Sequence, residues 1–285
     1  MCIRDSLVPI YETSSPLQVH WALEDSEAAF LIVENQELFA RYQDVKSDLK
    51  NIQREWIIDD GALDELVAAG KEIPDEEIER RRNIANGDDI ATIIYTSGSF
   101  GRPRGCVLTH ANFVDLTRNA DEKLEAILHK EEASTLLFIT LAHVFARFIS
   151  ILAVGSGVRV GHADTSNLLK SLGTFQPTFL LAVPRVFEKV YNSAEQKAEG
   201  EGKGKIFRIA AKTAVAYSRA QDEGKVPFML NLKFKLFDKL VFSKLRAALG
   251  GKVTHAVSGS APLSTHLGHF YNCLLYTSPS PRDRG

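Results

Sequence analysis

The chain has 285 residues, of which 45% are hydrophobic and 25% are charged, a composition typical of a soluble globular domain. Its net charge of -2 gives no overall attraction to nucleic acid, and its three cysteines include no C-x-x-C pair that would indicate a disulfide framework or a zinc site. No apolar run approaches the length of a membrane span, and the first residues do not resemble a signal peptide. We therefore expect a cytoplasmic protein with no nucleic-acid partner.

Helices and strands are predicted to alternate in the first sixty residues. Ser15 followed by Pro16 is typical of a helix start. The unbroken apolar run at 28–33 indicates a buried strand, and a charged helix over 34–48 and a second strand over 51–58 should follow. This order is typical of an α/β fold with a parallel sheet.

The later elements follow the same pattern. Residues 65–82 are acidic and then basic, and they indicate solvated helices with no site implied. The remaining predictions are helices over 109–130 and 164–172, strands over 134–141, 158–161, 179–183 and 253–257, and helices opening at Pro184 and near His266.

A glycine-rich stretch at 93–105, I-I-Y-T-S-G-S-F-G-R-P-R-G, connects two apolar runs. Glycines allow several backbone N–H groups to turn toward one point, hydroxyls add donors, and arginine adds fixed positive charge. These features favour a polyphosphate ligand, although a β-hairpin turn without a ligand is the structural alternative. The second half, G-R-P-R-G, does not fit a Walker loop, because Pro103 and Gly105 disfavour the helix that must follow.

The stretch resembles the Y-T-S-G-T-T-G-x-P-K-G signature of the AMP-forming adenylate-forming enzymes. Ser99 keeps the hydroxyl of the first threonine of the pair, Phe100 loses that of the second, and Arg104 replaces the lysine. The resemblance implies that the loop holds the β- and γ-phosphates of ATP. The implied phosphate-binding residues are Thr96, Ser97, Gly98, Ser99, Gly101 and Arg104.

Three further blocks fall in the order of this family. L-A-H-V-F-A-R at 141–147 resembles the P-L-A-H-x-F-E-R block of fatty acyl-CoA synthetases, with Thr140 and Ala146 as departures. It implies that His143 is catalytic and orients the carboxylate near the α-phosphate; a satisfied core histidine is the alternative. V-P-R-V-F-E-K at 183–189 resembles a block of long-chain fatty acid ligases.

The last block, S-G-S-A-P-L at 258–263, resembles S-G-G-A-P-L. The resemblance implies that Gly259, Ser260 and Ala261 line the adenine and acyl sites. An ordinary tight turn after a strand is the structural alternative.

The resemblance as a whole implies a long-chain fatty acid:CoA ligase of the AMP-forming type. Its fold would be part of the large N-terminal domain of an adenylate-forming enzyme, with mostly parallel sheets flanked by helices. The substrates would be a fatty acid, ATP and coenzyme A, with Mg²⁺ on the phosphates. No Y-G-x-T-E block follows Ala261, so the sequence predicts no protein metal ligand.

Two alternatives stay open. The chain would be a nucleotide-binding or structural fragment if Phe100, Thr140 and Ala146 mark a degenerate family member. It would be part of a fatty acyl-AMP ligase if coenzyme A takes no part. In every case we expect the 285-residue chain by itself to be inactive, because the family's remaining motifs are not in it.

Residues 197–252 carry 13 Lys and Arg against 5 Asp and Glu, a net charge of +8. Phenylalanines and leucines alternate with lysines between 228 and 242. An amphipathic helix that packs on its own domain is the favoured interpretation. Peripheral contact with the inner face of an anionic membrane, through residues 225–246, is the alternative.

The two ends are predicted to lie outside the natural fold. Met1–Ser6 and Cys273–Ser278 can be encoded by opposite strands of one DNA segment, which resembles the transposase mosaic end used in sequencing-library preparation. We therefore expect residues 1–6 and 273–285 to be adapter-derived and residues 7–272 to be a fragment of an AMP-binding adenylation domain.

Overall fold

The computed structural model describes residues 6–96 and 102–275, and these divide into two compact units. Unit 1 contains residues 1–119 and 140–147, and unit 2 contains residues 120–139 and 148–285. The helices are α1 (Pro16–Asp25), α2 (Gln36–Gln43), α3 (Ala62–Gly70), α4 (Asp75–Arg82), α5 (His110–Lys123), α6 (Glu125–Leu128), α7 (Val144–Gly155), α8 (Leu168–Phe175), α9 (Pro184–Gly200), α10 (Gly204–Asp222), α11 (Phe228–Phe237), α12 (Ser243–Ala248) and α13 (Thr265–Leu274). The strands are β1 (Phe30–Val33), β2 (Arg54–Ile57), β3 (Ile90–Thr96), β4 (Arg104–Thr109), β5 (Ser134–Leu137), β6 (Arg159–His162), β7 (Phe179–Ala182) and β8 (His255–Ser258).

In unit 1, helix α1 begins where its sequence predicts. The Ser15 hydroxyl accepts a hydrogen bond from the Gln18 amide, and the Gln18 side chain accepts one from the Ser15 amide at 2.9 Å, with Pro16 in the first turn. This is a capping box, which satisfies two amides that the helix itself leaves unpaired. Strands β1 and β2 pair in parallel, as predicted. A small core joins these elements through Val19, Leu23, Leu31 and Tyr42.

Unit 2 contains two parallel strand pairs, β5 with β6 and β7 with β8. Strand β5 also lies beside β7, because Thr178, just before β7, donates its amide to the Ser134 carbonyl at 2.9 Å. All four residues of β5 and all four of β7 are buried, as strands covered on both faces must be. The α/β prediction is therefore confirmed, with mostly parallel strand pairs and one antiparallel hairpin, β3–β4.

The V-P-R-V-F block has a structural role that the sequence did not explain. Pro184 starts α9 directly after β7, as predicted. Phe187 is buried on α9 and lies edge-on to the Tyr271 ring at 5.1 Å. The Tyr271 hydroxyl donates a hydrogen bond of 2.8 Å to the Phe187 carbonyl, so this block connects α9 to α13 in the core of unit 2.

Two predicted elements are shorter than expected. The strand predicted over 134–141 ends at Leu137, because its partner β6 ends at His162 and the Ala163 amide makes the last bond to the Leu137 carbonyl. The helix predicted over 109–130 is interrupted at Leu124, which has φ -109° and ψ 15°, and α6 then buries Ile127 and Leu128.

Two helix boundaries are also shifted. The helix predicted over 164–172 starts only at Leu168, because the Asp164 carboxylate accepts the Ser166 amide in a turn. The helix predicted over 34–48 ends at Gln43 and continues as a 3-10 turn at Lys46–Asp48. The described part of the predicted 273–285 segment is packed: Leu274 and Leu275 are buried in the unit 2 core. The origin of that segment stays a prediction.

Candidate functional site

The described residues of the glycine-rich stretch lie in unit 1, at the end of the β3–β4 hairpin where β3 leads into β4. The register places Thr96 opposite Arg104 and Tyr95 opposite Gly105, and both Thr96 and Arg104 are exposed. Directly opposed residues on one face of an antiparallel pair have Cβ atoms about 5 Å apart. The hairpin therefore brings one predicted hydroxyl and the predicted guanidinium to the same end of the ladder. Ser97, Gly98, Ser99 and Gly101 lie outside the described residues, as does Phe100.

Helix α1 holds the outgoing side of this loop. The indole Nε1 of Trp21 donates a hydrogen bond of 2.7 Å to the Pro103 carbonyl. The Arg102 guanidinium lies over the Trp21 ring, 4.6 Å from its centroid, in a cation–π contact. Because one side chain contacts two consecutive residues, the backbone just before Arg104 is fixed on α1.

The same helix holds the incoming strand. The Tyr95 hydroxyl donates a hydrogen bond of 2.6 Å to the Asp25 carboxylate. Burial of Tyr95, together with this hydrogen bond and the negative charge of Asp25, raises the pKa of Tyr95 above its ordinary value of 10.0, so the phenol stays a neutral donor. Trp21 and Asp25 are four residues apart, which places them on one face of α1.

Gly105 completes the hairpin by leaving space for Tyr95. A Cβ at this position would lie 2.9 Å from Ile93 Cγ2 and 3.2 Å from the Tyr95 ring. Gly105 is therefore required because the Ile93 and Tyr95 side chains of β3 approach it closely. This reason concerns packing within the hairpin and does not depend on a ligand. Trp21 and Asp25 were missed by sequence reasoning, since their four-residue spacing is visible in the sequence but nothing there indicates which segment they contact.

His143 lies in the turn that starts α7, also in unit 1. Its amide donates to the Thr140 carbonyl at 3.0 Å, and its Nδ1 accepts the Phe145 amide at 3.2 Å. Since Nδ1 is an acceptor, the proton of the neutral ring must lie on Nε2. Thr140 replaces the family's proline but still shapes the turn, because its hydroxyl accepts the Ala142 amide at 3.3 Å.

Arg147 follows one helical turn after His143. Its amide donates to the His143 carbonyl at 3.3 Å, and its side chain is half-buried. Burial lowers the pKa of the Arg147 guanidinium from its ordinary value of 12.5. Sequence reasoning assigned no role to this residue.

The predicted adenine and acyl residues lie in unit 2, directly after β8. The Gly259 amide donates to the Ala182 carbonyl at 3.3 Å, so the turn starts beside the carboxyl end of β7. Ligands of open α/β sheets bind at such carboxyl ends. Ser260 has φ 69°, a left-handed conformation that favours glycine, and it stands where the family motif has glycine.

The predicted residues that the structure describes therefore fall into two separate groups, one in each unit. Thr96, Arg104 and His143 belong to unit 1, and Gly259, Ser260 and Ala261 belong to unit 2. Two surface cavities of about 360 and 420 Å³ lie in unit 2, one along α10 near His266 and one near His129 and Arg159, and neither includes a predicted site residue. The roles of the predicted residues stay predictions.

Comparison with known proteins identifies the class. The family model for AMP-binding enzymes matches residues 6–279, and the chain therefore belongs to this family. Long-chain-fatty-acid–CoA ligase FadD15 of Mycobacterium bovis and its namesake in Mycobacterium tuberculosis are each 47% identical to the chain over 268 residues. That match covers 93% of this chain and 44% of each relative, so the chain spans less than half the length of these curated relatives.

Solved structures show the same fold. The A-PCP didomain of carboxylic acid reductase from Segniliparus rugosus, in complex with AMP, matches 94% of this chain and 37% of its own, with a TM-score of 0.61 and 20% identity. A long-chain-fatty-acid-CoA ligase (FadD1) from Archaeoglobus fulgidus matches 94% of this chain and 43% of its own, with a TM-score of 0.56 and 17% identity. These likenesses confirm the adenylate-forming fold that the sequence motifs predicted.

Proposed function

We propose that this chain is part of a long-chain fatty acid:CoA ligase of the AMP-forming type. In the first half-reaction the fatty carboxylate attacks the α-phosphorus of ATP, which gives an acyl-adenylate and releases pyrophosphate. In the second, the thiol of coenzyme A attacks the acyl carbon, which gives a thioester and releases AMP. The observation that carries the proposal is the hairpin that sets Thr96 opposite Arg104 at a loop fixed on both sides by α1.

The physical demand of the first step is to place two anions together. Hydroxyls, amides and one guanidinium that are held in position can neutralise the triphosphate without reorganising during the reaction. The proposed phosphate contacts are Thr96, Ser97, Gly98, Ser99, Gly101 and Arg104. His143 would orient the carboxylate through Nε2–H, and Gly259, Ser260 and Ala261 would line the adenine and the acyl chain.

Magnesium is proposed to bridge the phosphates of ATP. Among residues 6–96 and 102–275, no three His, Cys, Asp or Glu side chains lie close enough together to hold a metal ion. We propose that the ion binds together with ATP, through its phosphate oxygens. No step is assigned to a protein metal ligand in this part of the chain.

A hybrid ligase tests the proposal. In this protein, called the hybrid below, the chain replaces the matching 268-residue segment of the Mycobacterium tuberculosis relative. We expect fatty-acid-dependent exchange between ATP and labelled pyrophosphate in the hybrid, and no exchange in the 285-residue chain by itself. A hybrid that binds ATP but shows no exchange would instead support a nucleotide-binding protein without chemistry.

Substitutions in the loop then test its role. Arg104→Ala in the hybrid should raise the KM for ATP or slow adenylation by about 10-fold, since one charge-assisted phosphate contact is lost. Arg118→Ala, an exposed arginine on α5, is the control and should change neither constant. Phe100→Thr should equal or improve the activity, because it restores a family hydroxyl. An unchanged KM for ATP and an unchanged rate of adenylation in Arg104→Ala would contradict the phosphate-loop assignment.

Helix α11 supports a second proposal, peripheral contact with an anionic bilayer. One side of the helix packs on the unit 2 core, where Phe234 stacks on Tyr217 at 4.2 Å. The other side exposes a stripe of large apolar residues at helical spacing. Its members in α11 and their exposed fractions are Phe228 78%, Met229 62%, Leu232 55% and Leu236 57%; Leu240, 50% exposed, continues the stripe in the π-helical turn Asp238–Phe242 that follows.

Lysines accompany this stripe. Lys233, Lys235 and Lys239 are all exposed among the apolar residues. An apolar stripe with lysines beside it matches a bilayer that has acyl chains below negatively charged headgroups. No helix in the described part of the chain combines the length and apolarity that crossing a bilayer requires, so the proposed contact is peripheral.

Vesicle sedimentation tests this contact. The hybrid should bind vesicles of phosphatidylcholine with 30% phosphatidylglycerol more strongly than pure phosphatidylcholine vesicles, and Leu232→Gln with Leu236→Gln should abolish the binding. Leu17→Gln is the control, because Leu17 of α1 is at least as exposed (78%) but lies outside the stripe. Equal binding by all variants would contradict the proposal, and concentration-dependent dimers that Leu232→Gln dissociates would assign the stripe to a second copy of the chain.

A further inference from the structure

The side chain of Arg147 is a half-buried cation that has no partner among the described residues. Within residues 6–96 and 102–275, no hydrogen bond, ion pair or ring contact holds its guanidinium. A buried charge without a compensating group is costly, and proteins normally pair it or bind a ligand there. Burial also lowers the pKa of the group, which agrees with a position partly withdrawn from water.

The local sequence supplies no counter-ion either. No Asp or Glu occurs between Glu132 and Asp164, a stretch that contains Arg147 near its middle. The residue before Arg147 is Ala146, which is fully buried, where the family block has glutamate. By contrast, most of the arginines for which the structure describes an ion pair find their carboxylate within nine residues along the chain. Arg246, for example, pairs with Asp238 at 2.7 Å.

The position of Arg147 relative to His143 indicates what it could bind. His143 lies directly before α7, and the bond from the Arg147 amide to the His143 carbonyl closes the first turn of that helix, so Arg147 lies one turn after His143, about 6 Å further along the helix axis. His143 uses Nδ1 for the Phe145 amide, which leaves Nε2–H as its donor. The two side chains can therefore offer donors to one anion from adjacent turns.

We propose that Arg147 is an anion-binding residue of the same site as His143, with an oxyanion of the substrates as its ligand. The inference rests on the proposed function, in which two oxyanions meet at this site: the fatty carboxylate and a phosphate of ATP. A guanidinium is suited to both, because its planar fork donates two parallel N–H bonds to carboxylate or phosphate oxygens.

The test uses Arg147→Gln and Arg147→Lys in the hybrid, with Arg118→Gln as the control. Arg147→Gln should raise one KM by about 10-fold or more, and Arg147→Lys should recover part of the loss, since it keeps the charge without the fork. A rise confined to the KM for the fatty acid identifies the carboxylate, and a rise confined to the KM for ATP identifies the phosphate. Unchanged KM values for both substrates in a folded Arg147→Gln variant would overturn the inference.

Direct binding separates this result from failure of the proposed function. The hybrid and the 285-residue chain are titrated calorimetrically with dodecanoate and, separately, with AMP. If the hybrid shows no exchange but binds one probe about 10-fold more weakly after Arg147→Gln, the ligase proposal fails and the anion site stands. If neither protein shows binding or kinetics that depend on Arg147, the anion site is wrong whatever the hybrid catalyses.

Discussion

The Trp21 indole donates to the Pro103 carbonyl at 2.7 Å, across 82 positions of the sequence. One turn further along α1, Asp25 accepts the Tyr95 hydroxyl, so a single helix face fixes both sides of the glycine-rich loop. Flanks that are held in place reduce the cost of ordering when a triphosphate binds between them. The capping box at Ser15 in turn fixes the start of that helix.

Trp21→Phe should weaken this anchor. The substitution removes the hydrogen bond to Pro103 and keeps most of the ring, and it should cost about 1 kcal/mol of stability. In the hybrid we expect the KM for ATP to rise several-fold with little change in the KM for the fatty acid, as steady-state kinetics would show.

Trp56→Phe is the matched control for that experiment. The Trp56 Nε1 is buried without a hydrogen-bond partner among the described residues, so its removal should leave the stability unchanged or increase it. Equal losses from the two substitutions would mean that ring volume, and not the bond to Pro103, is what matters.

Gly105→Ala should strain the hairpin. The new methyl group would meet Ile93 and the Tyr95 ring at 2.9 and 3.2 Å, and overpacking of this kind costs about 1–3 kcal/mol. Urea unfolding monitored by fluorescence should show the loss. Gly173→Ala, in α8, has no atom within 4 Å of the new group and should be stabilising by up to about 1 kcal/mol. A neutral Gly105→Ala would show that the Tyr95 ring can move aside.

Ser260→Gly should stabilise unit 2. Ser260 has φ 69°, which disfavours any side chain, and glycine relieves a strain of about 1 kcal/mol. Ser260→Ala keeps the strain and removes only the hydroxyl, so it serves as the comparison. The difference should appear as a higher urea midpoint for the glycine variant. A midpoint lowered by both substitutions would mean that the hydroxyl itself contributes to stability.

Glu55 should make the stability of unit 1 depend on pH. Burial alone would raise the pKa of Glu55, but hydrogen bonds from Lys46 at 2.8 Å and from Tyr42 at 2.6 Å outweigh it and hold the pKa below 4.5. A carboxyl whose pKa is lowered by folding stabilises the folded state above its ordinary pKa, and the stabilisation is lost as the pH falls through the lowered value.

Glu55→Gln should therefore lower the urea midpoint at pH 7. As the pH falls below 4.5, the midpoint of the variant should approach that of the parent protein. Glu37→Gln is the control, because that side chain is 82% exposed in its pair with Arg41 and contributes little. A constant difference between Glu55→Gln and the parent from pH 7 to pH 3 would contradict the assignment.

The sequence by itself determined the class of fold and the order of its motifs. The capped start of α1, the apolar runs at β1, β5 and β7, and the proline that opens α9 are local signals, and each element is found where it was expected. The prediction that β1 is buried is wrong, because its strand exposes Phe30 at 49% and Ile32 at 47%. The family blocks needed only short-range spacing to be recognised. Element ends were less predictable, because β5 ends where its partner β6 ends, and not where its own apolar run does.

Only the tertiary structure decided which distant residues serve the loop. Trp21 and Asp25 are unremarkable helix residues until folding places Pro103 and Tyr95 against them. The same holds for Arg147, since whether a charge is paired depends on what surrounds it in space. The sequence shows that no Asp or Glu lies near Arg147 along the chain, but only the structure shows that its side chain is half-buried. Backbone hydrogen bonds within a helix follow local sequence, whereas strand pairing and side-chain partners far apart in the chain are set by how the elements pack.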